Sequence, residues 1–269
     1  MIEKPLVFVI DIDGCLLGDI TPQLMLYEII NELKKHHIKI SMNLKDFQYK
    51  LKHGIVRPYF QKFIKSIKNH IPNSEFYIYT ASQKQWAEFL IKNIEKALTI
   101  KFNRPIFTRD NCIIINNEFK KSLKGITPII QKSLKKKYGI VSLENRIVMI
   151  DNNNVLGKSE QNSLVICPSY KYYKLENLPL FIKPNIYNQH YDIINTILKK
   201  YVSIKIDNIT NYENFEKAFY TYYISQINPT NNKELEDKYW YNLTKLIIIK
   251  NIKYLGPKSV EYIKKKMCV

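Results

Sequence analysis

Glycine and proline are sparse, at 7 and 11 of 269 residues, and there are only four cysteines. So little of either argues against long flexible linkers, fibrous repeats and low-complexity disorder. Cys15, Cys112, Cys167 and Cys268 lie far apart, with no Cys-x-x-Cys and no zinc spacing, and read as free thiols of a reducing compartment. No apolar run approaches the ~20 residues that cross a bilayer, and Leu246 to Ile249 is far too short. The first twenty residues carry acids within a strand pattern, unlike a signal peptide. These absences predict an intracellular chain, cytoplasmic or nuclear, in which the Asn208 and Asn242 sequons have no meaning. Acidic residues are also scarce: 24 against 42 basic ones, a formal net charge of +18. Such a balance attracts polyanions, whether nucleic acid, acidic phosphopeptides or anionic lipid. Few of the basic residues are arginine, so the charge consists of points rather than bidentate forks. A lysine-coated surface set by codon usage accounts for the same count. A hydrophobic content of 45% is ordinary for a globular protein and allows one large domain, or a core with an appendage.

What is present is organised around Leu6-Val7-Phe8-Val9-Ile10-Asp11-Ile12-Asp13-Gly14. A continuous apolar run of this length fits a strand buried on both faces, as in a parallel sheet under helices. Open α/β sheets collect ligands at the carboxyl ends of such strands, which is where Asp11 and Asp13 leave. A turn at Gly14 lets both carboxylates project into one crevice. One then carries a covalent phosphoryl group and the other handles protons, with a divalent metal offsetting the charge. Taken alone, Asp-x-Asp is equally the acidic turn that commonly ends a strand.

Later elements follow the same alternation. Thr21-Pro22 reads as cap and first turn of a helix with Leu24, Leu26, Tyr27, Ile30 and Leu33 on its apolar face, ending near His36-His37. Phe47, Leu51 and Ile55 suggest a second short helix, and Arg57-Pro58-Tyr59-Phe60 opens a third. Phe76 to Tyr79 reads as a strand ending at Thr80-Ala81-Ser82, and Trp86, Phe89, Leu90 and Ile94 mark the helix behind it. A small hydroxyl residue there, followed by a helix, is the layout of a phosphate-binding turn and also of a simple N-cap. Ile113 to Ile115 with Asn116-Asn117 predicts a hairpin, followed by a lysine-rich helix around Ile129 to Lys137. Two further strands are Ile147 to Ile150, ending at Asp151-Asn152, and Leu164 to Ile166. Strands alternating with helices imply βαβ units and a largely parallel sheet.

Together these segments resemble the haloacid dehalogenase superfamily, and within it the branch of small phosphatases of the RNA polymerase II carboxy-terminal domain and NLI-interacting-factor-like proteins. The resemblance rests on Val9 to Leu16, Arg57-Pro58, Tyr79-Thr80-Ala81-Ser82 with Trp86-Ala87, Arg109-Asp110-Asn111-Cys112, Lys121-Ser122-Leu123 and Ile150-Asp151-Asn152. It covers about residues 4 to 170, and at its widest extends to about 200. It implies a Rossmann-like α/β fold with a mainly parallel central sheet flanked by helices, and a phosphoserine/phosphothreonine phosphatase using Mg²⁺. By the same resemblance Asp11 is the nucleophile and Asp13 the acid/base. Thr80, Ala81 and Lys121 bind phosphate, and Asp11, Asp13, Asp151 and Asn152 hold the metal. Arg57 and Arg109 are candidate substrate contacts. Cys15 departs from the branch's threonine, and Ser122 from its aspartate.

Residues 1–201 are expected to form the catalytic domain and residues 202–269 a helical basic extension. Helices are predicted from Tyr187 to Tyr201, around Phe215 and Phe219, from Tyr239 to Ile247, and from Val260 to Lys266. The leading expectation is a phosphatase acting on a phosphorylated protein. A nucleic-acid end phosphatase, or a degenerate module binding phosphoproteins or nucleic acid, are the alternatives that +18 and Cys15 keep open.

Overall fold

The computed structural model describes residues 4–140, 142–171, 182–202, 209–226 and 236–267, so Asn208 and Cys268 lie outside the described residues. A four-stranded parallel sheet forms the centre: β1 (Leu6–Ile10), β2 (Ser74–Ile78), β5 (Ile147–Asp151) and β6 (Leu164–Ile166), in the order β2-β1-β5-β6. Between them, β3 (Ile113–Ile115) and β4 (Glu118–Lys120) make a separate antiparallel hairpin. Every residue of β1, β2 and β5 is buried, as their apolar runs predict.

The two faces of β1 divide the core by the two-residue period of a strand. Leu6, Phe8 and Ile10 join a cluster that contains α3 (Phe60–His70), α4 (Lys84–Leu98), α8 (Tyr239–Ile249) and α9 (Pro257–Met267). Val7 and Val9 face Tyr77, Tyr79, Met149 and the buried side of α5 (Leu123–Tyr138). A third cluster joins α1 (Thr21–Lys35) to α6 (Pro184–Leu198) and α7 (Tyr212–Gln226).

Several local readings shift. Thr21 is the first residue of α1 rather than its cap, and its N–H is satisfied by the Asp19 carboxylate at 2.9 Å. The buried face of α1 is Met25, Leu26, Ile29, Ile30 and Leu33, while Leu24 and Tyr27 lean toward the sheet-side cluster. The helix after Arg57-Pro58 starts at Phe60, with Tyr59 in the left-handed region at φ 66°. The short helix α2 (Leu44–Lys50) continues into one wide turn through Ile55. The lysine-rich α5 begins at Leu123, directly behind Lys121-Ser122, because the Ser122 hydroxyl accepts the Gly125 N–H.

Residues 236–267 return to the core. Trp240 is fully buried between Phe60 and Phe63, with ring centroids 4.9 and 4.8 Å away. No helix among the described residues is long and apolar enough to cross a membrane.

Candidate active site

The carboxyl ends of β1, β2 and β5 converge on one crevice, because parallel strands point the same way and β1 lies between the other two. Asp11 follows β1, and its N–H is tied to the Ile150 carbonyl at 3.0 Å. Asp11 as a whole is 5% exposed. Lys121 reaches it from the end of the hairpin and donates both to Asp11 Oδ1 and to Asp151 Oδ2, the latter at 2.8 Å. Two buried carboxylates therefore share one ammonium. Burial pushes the Asp11 carboxyl up to about 7, with Lys121 pulling the other way and Asp151 adding to the rise. For Lys121, burial disfavours the charge, but Asp11 and Asp151 outweigh it and raise the ammonium's pKa.

Asp13 stands further out, at the mouth. The surrounding protein desolvates its carboxyl and raises it above the ordinary range, against the Ser82 hydroxyl, which donates to Oδ2 at 3.3 Å. Around and after Asp13 the chain coils tightly: the Cys15, Leu16 and Leu17 N–H groups all aim at the Ile12 carbonyl, at 3.3, 2.9 and 2.9 Å. Gly14 makes this coil possible. It adopts φ +74°, and a Cβ there would meet Asn152 Nδ2 at 2.5 Å and Ser169 Oγ at 3.1 Å.

Thr80 is fully buried behind the crevice, its hydroxyl accepting the Ser82 N–H at 3.1 Å. Ala81 is exposed at the turn, and the Arg109 Nε donates to its carbonyl at 2.8 Å. Arg109 also lies over the Phe119 ring, 5.1 Å from its centroid. Asn152 packs across Gly14 toward Ser169, at 3.5 Å. Asp151 Oδ1 accepts the Asn153 N–H at 2.8 Å. Asp11, Lys121 and Asp151 thus form one cluster, Asp13 is tied to it by Lys121 and to the turn by Ser82 and Thr80, Asn152 borders it at Gly14, and Arg109 holds Ala81 at the turn.

Arg57 is elsewhere. It is 1% exposed and lies under the loop, where its guanidinium forks onto Asp237 at 3.0 and 2.8 Å and donates to the Pro168 and Cys15 carbonyls at 2.8 and 3.5 Å. The Tyr239 ring covers it at 4.6 Å. In this structure a substrate meets Arg57 only through the loop that it braces.

The two departures from the branch pattern have simple physical readings. Cys15 is fully buried, its thiol donating to the Ile150 carbonyl at 3.6 Å. Burial, and Cys167 beside it, push that thiol well up, so it is a packing residue. Ser122 takes over as cap of α5, and Glu160 supplies the carboxylate, accepting the Ser122 hydroxyl at 3.2 Å and the Lys124 N–H at 2.7 Å. Sequence reasoning did not single out Ser82, Ser169 or Asp237. Ser82 sits in the hydroxyl-rich turn after β2 and was open to recognition there. Asp237 is 180 positions from Arg57 and leaves no local signal.

Among the described residues no three His, Cys, Asp or Glu side chains group closely enough to form a metal site by themselves. The donors that do converge are hard oxygens: two carboxylates, with the Asn152 amide and loop carbonyls beside them. That set fits Mg²⁺, which binds through one or two carboxylates and completes its shell with water and phosphate.

A family model described as NLI interacting factor-like phosphatase matches residues 6–193. No curated protein matches the sequence. Among solved structures, Fcp1, an essential RNA polymerase II CTD phosphatase, aligns with TM-score 0.44 at 16% identity, covering 98% of this chain and 70% of that one. An arginine-to-alanine variant of fission yeast Fcp1 bound to beryllium fluoride gives 0.41 at 15% identity, covering 98% and 71%. A protein described as a β-phosphoglucomutase from Thermotoga maritima gives 0.33 at 13% identity, covering 73% and 100%.

Proposed function

The chain belongs to the NLI interacting factor-like phosphatase family and is a phosphatase of the haloacid dehalogenase type, and on that premise we propose that it dephosphorylates phosphoserine or phosphothreonine in a polypeptide. In this reading Asp11 attacks phosphorus in line and becomes an aspartyl-phosphate, while Asp13 gives its proton to the departing serine or threonine oxygen. Asp13, now a carboxylate, takes a proton from water as that water attacks the same phosphorus, and Asp11 is released with inorganic phosphate. The raised carboxyl of Asp13 suits the first half of this cycle, because it keeps a proton available at higher pH.

Lys121 holds Asp11 toward the crevice and supplies positive charge where the phosphoryl oxygens gather. The Thr80 hydroxyl, which also interacts with Asp13, would bind the same oxygens. Phosphoryl transfer depends mainly on such positioning and neutralisation. Asp11, Asp151, Asn152 and the Asp13 carbonyl would hold Mg²⁺, which when bound offsets the charge of the phosphoryl group and the carboxylates. The exposed hairpin, with Ile114 and Phe119 67% and 46% exposed, ends directly before Lys121 and offers apolar surface for a peptide beside the crevice.

The observation that carries the reading is the Asp11–Lys121–Asp151 bridge, with Asp13 interacting with both Lys121 and Thr80. The test is turnover of a small aryl phosphate with and without Mg²⁺, for the wild type and Asp11→Asn. Turnover is expected to require Mg²⁺ and to fall about a thousandfold or more in the variant, since the nucleophile is lost. Mass spectrometry after an acid quench should place the phosphoryl group on the peptide containing Asp11. Wild-type rates from Asp11→Asn would refute the covalent route.

A further inference from the structure

Lys121 reaches the crevice from an element that is itself lightly covered. Every residue of β3 is exposed, and so are Glu118 and Phe119 of β4. The two strands bond to each other in a sheet of their own, apart from the central one. Yet the Lys121 side chain, one residue beyond β4, is only 5% exposed and sits between Asp11 and Asp151. An exposed arm cannot fix a group at its root, so the root has to be held from elsewhere.

Tyr79 holds it. This residue lies one position past β2, with its N–H on the Ile10 carbonyl at 3.0 Å and its backbone bridged to Phe107. Its ring is buried in the cluster that contains Val7, Val9 and Leu123. The hydroxyl at the end of that ring makes two bonds. It donates to the Asn111 carbonyl at 2.7 Å and accepts the Ser122 N–H at 3.3 Å. Asn111 stands two residues before β3 and Ser122 two residues after β4, so one oxygen joins both feet of the hairpin. Burial pushes the phenol's pKa up, so the hydroxyl keeps the proton that it donates. The ring also lies 5.7 Å from the Lys121 ammonium, inside the ~6 Å reach of a cation–π contact.

Both feet carry groups of the site. The second foot is Lys121-Ser122 itself. The first is the Arg109–Asn111 turn, where Arg109 bonds the Ser82 and Ala81 carbonyls at 3.0 and 2.8 Å. Without the hydroxyl, the buried Ser122 N–H loses this acceptor, and its foot has to shift to find another. A long side chain carries such a shift to its end. Misplacement of about 1 Å at a reacting centre costs on the order of a hundredfold in rate.

We propose that Tyr79 is a positioning residue of the phosphoryl-transfer site: its hydroxyl clamps the two feet of the β3–β4 hairpin and so holds Lys121 where the phosphoryl oxygens gather. The inference rests on the phosphatase reading above, in which Lys121 meets the phosphoryl group, and adds a residue that itself touches no substrate.

The experiment measures kcat and KM for a small aryl phosphate with Mg²⁺ in the wild type, Tyr79→Phe and Tyr77→Phe. Each variant removes one hydroxyl and keeps the ring. Tyr77 is the matched control: it lies in β2 and in the same cluster, but its hydroxyl pairs with Ser133 of α5 and not with the hairpin. Tyr79→Phe is expected to lower kcat by about tenfold or more and to change KM by less than about threefold, since a displaced Lys121 is missed most in the transition state. Tyr77→Phe should keep kcat within about twofold of the wild type at a similar loss in urea midpoint. A wild-type kcat from Tyr79→Phe, or an equal fall in Tyr77→Phe, would overturn the assignment and leave the phosphatase reading intact. A Tyr79→Phe chain without native circular dichroism would overturn it as well, because the hydroxyl would then serve folding as a whole. No turnover by the wild type would remove the phosphatase reading itself, and the inference with it.

Discussion

Gly14 shows how much chemistry can depend on a residue with no side chain. Its φ of +74° and the 2.5 Å approach of Asn152 leave no room for a Cβ. Gly14→Ala has to strain the coil, at roughly 1–2 kcal/mol for the left-handed backbone alone, and push Asn152 away from Ser169. The expected outcome is a lowered urea midpoint together with a fall in kcat of about tenfold or more, while KM for a small aryl phosphate changes less. Unchanged kcat would show that the coil tolerates the shift. Asp11, Lys121 and Asp151 make the complementary point. None is unusual as a residue type, and each becomes unusual only by burial. Lys121 is one lysine among many until the fold places it, 5% exposed, between two carboxylates.

At the scale of elements, the coil between β1 and α1 is held from three directions. The Arg57 N–H bonds the Leu16 carbonyl at 2.9 Å, and the Tyr170 N–H bonds the Gly14 carbonyl at 2.7 Å. The Arg57 guanidinium ties the coil and the segment after β6 to Asp237 at the start of α8. Burial disfavours the Arg57 charge, but Asp237 outweighs it and raises the guanidinium's pKa. Asp237→Ala strands that cation, and breaking a buried pair in this way costs about 3–5 kcal/mol. The variant is expected to unfold at markedly lower urea concentration and to lose kcat, although Asp237 lies outside the crevice. Asp237→Glu should recover part of both. The double variant Arg57→Met/Asp237→Leu should regain stability relative to Asp237→Ala, because no charge is left buried without a partner. Equal midpoints for wild type and Asp237→Ala would mean that the brace contributes little.

At the scale of the whole molecule, the carboxyl-terminal segment bears on what counts as the catalytic unit. A seam at 201/202 is the expectation from the sequence, since residues 202–269 go beyond the family resemblance. The packing favours another reading, in which α8 and α9 close the face of the sheet formed by Leu6, Phe8 and Ile10. We therefore expect a chain ending at residue 235 to expose Phe60 and Phe63 and to lose its near-ultraviolet circular dichroism, with aggregation or a loosely packed state as the visible result. A truncated chain with native spectra and native turnover of aryl phosphate would instead restore the seam at 202. The net charge of +18 is a property of the entire surface. It sets solubility and encounter rates with acidic partners without choosing among them.

The candidate site residues were readable along the chain because the fold repeats a local rule. An apolar strand buried on both faces ends in a polar residue, and parallel strands end on one side. Asp11, Thr80 and Asp151 follow from that rule, and so do the sheet and most of its helices. The Asn116-Asn117 turn was equally legible, since both residues take positive φ at little cost. The interior use of Arg57 and the inward turn of Cys15 were decided only by tertiary structure. Each depends on a segment distant in sequence: Asp237 for Arg57 and Cys167 for Cys15. Side-chain periodicity records which face of an element is apolar. It does not record which distant element covers that face, and therefore whether a polar group there meets water, a substrate or a buried partner.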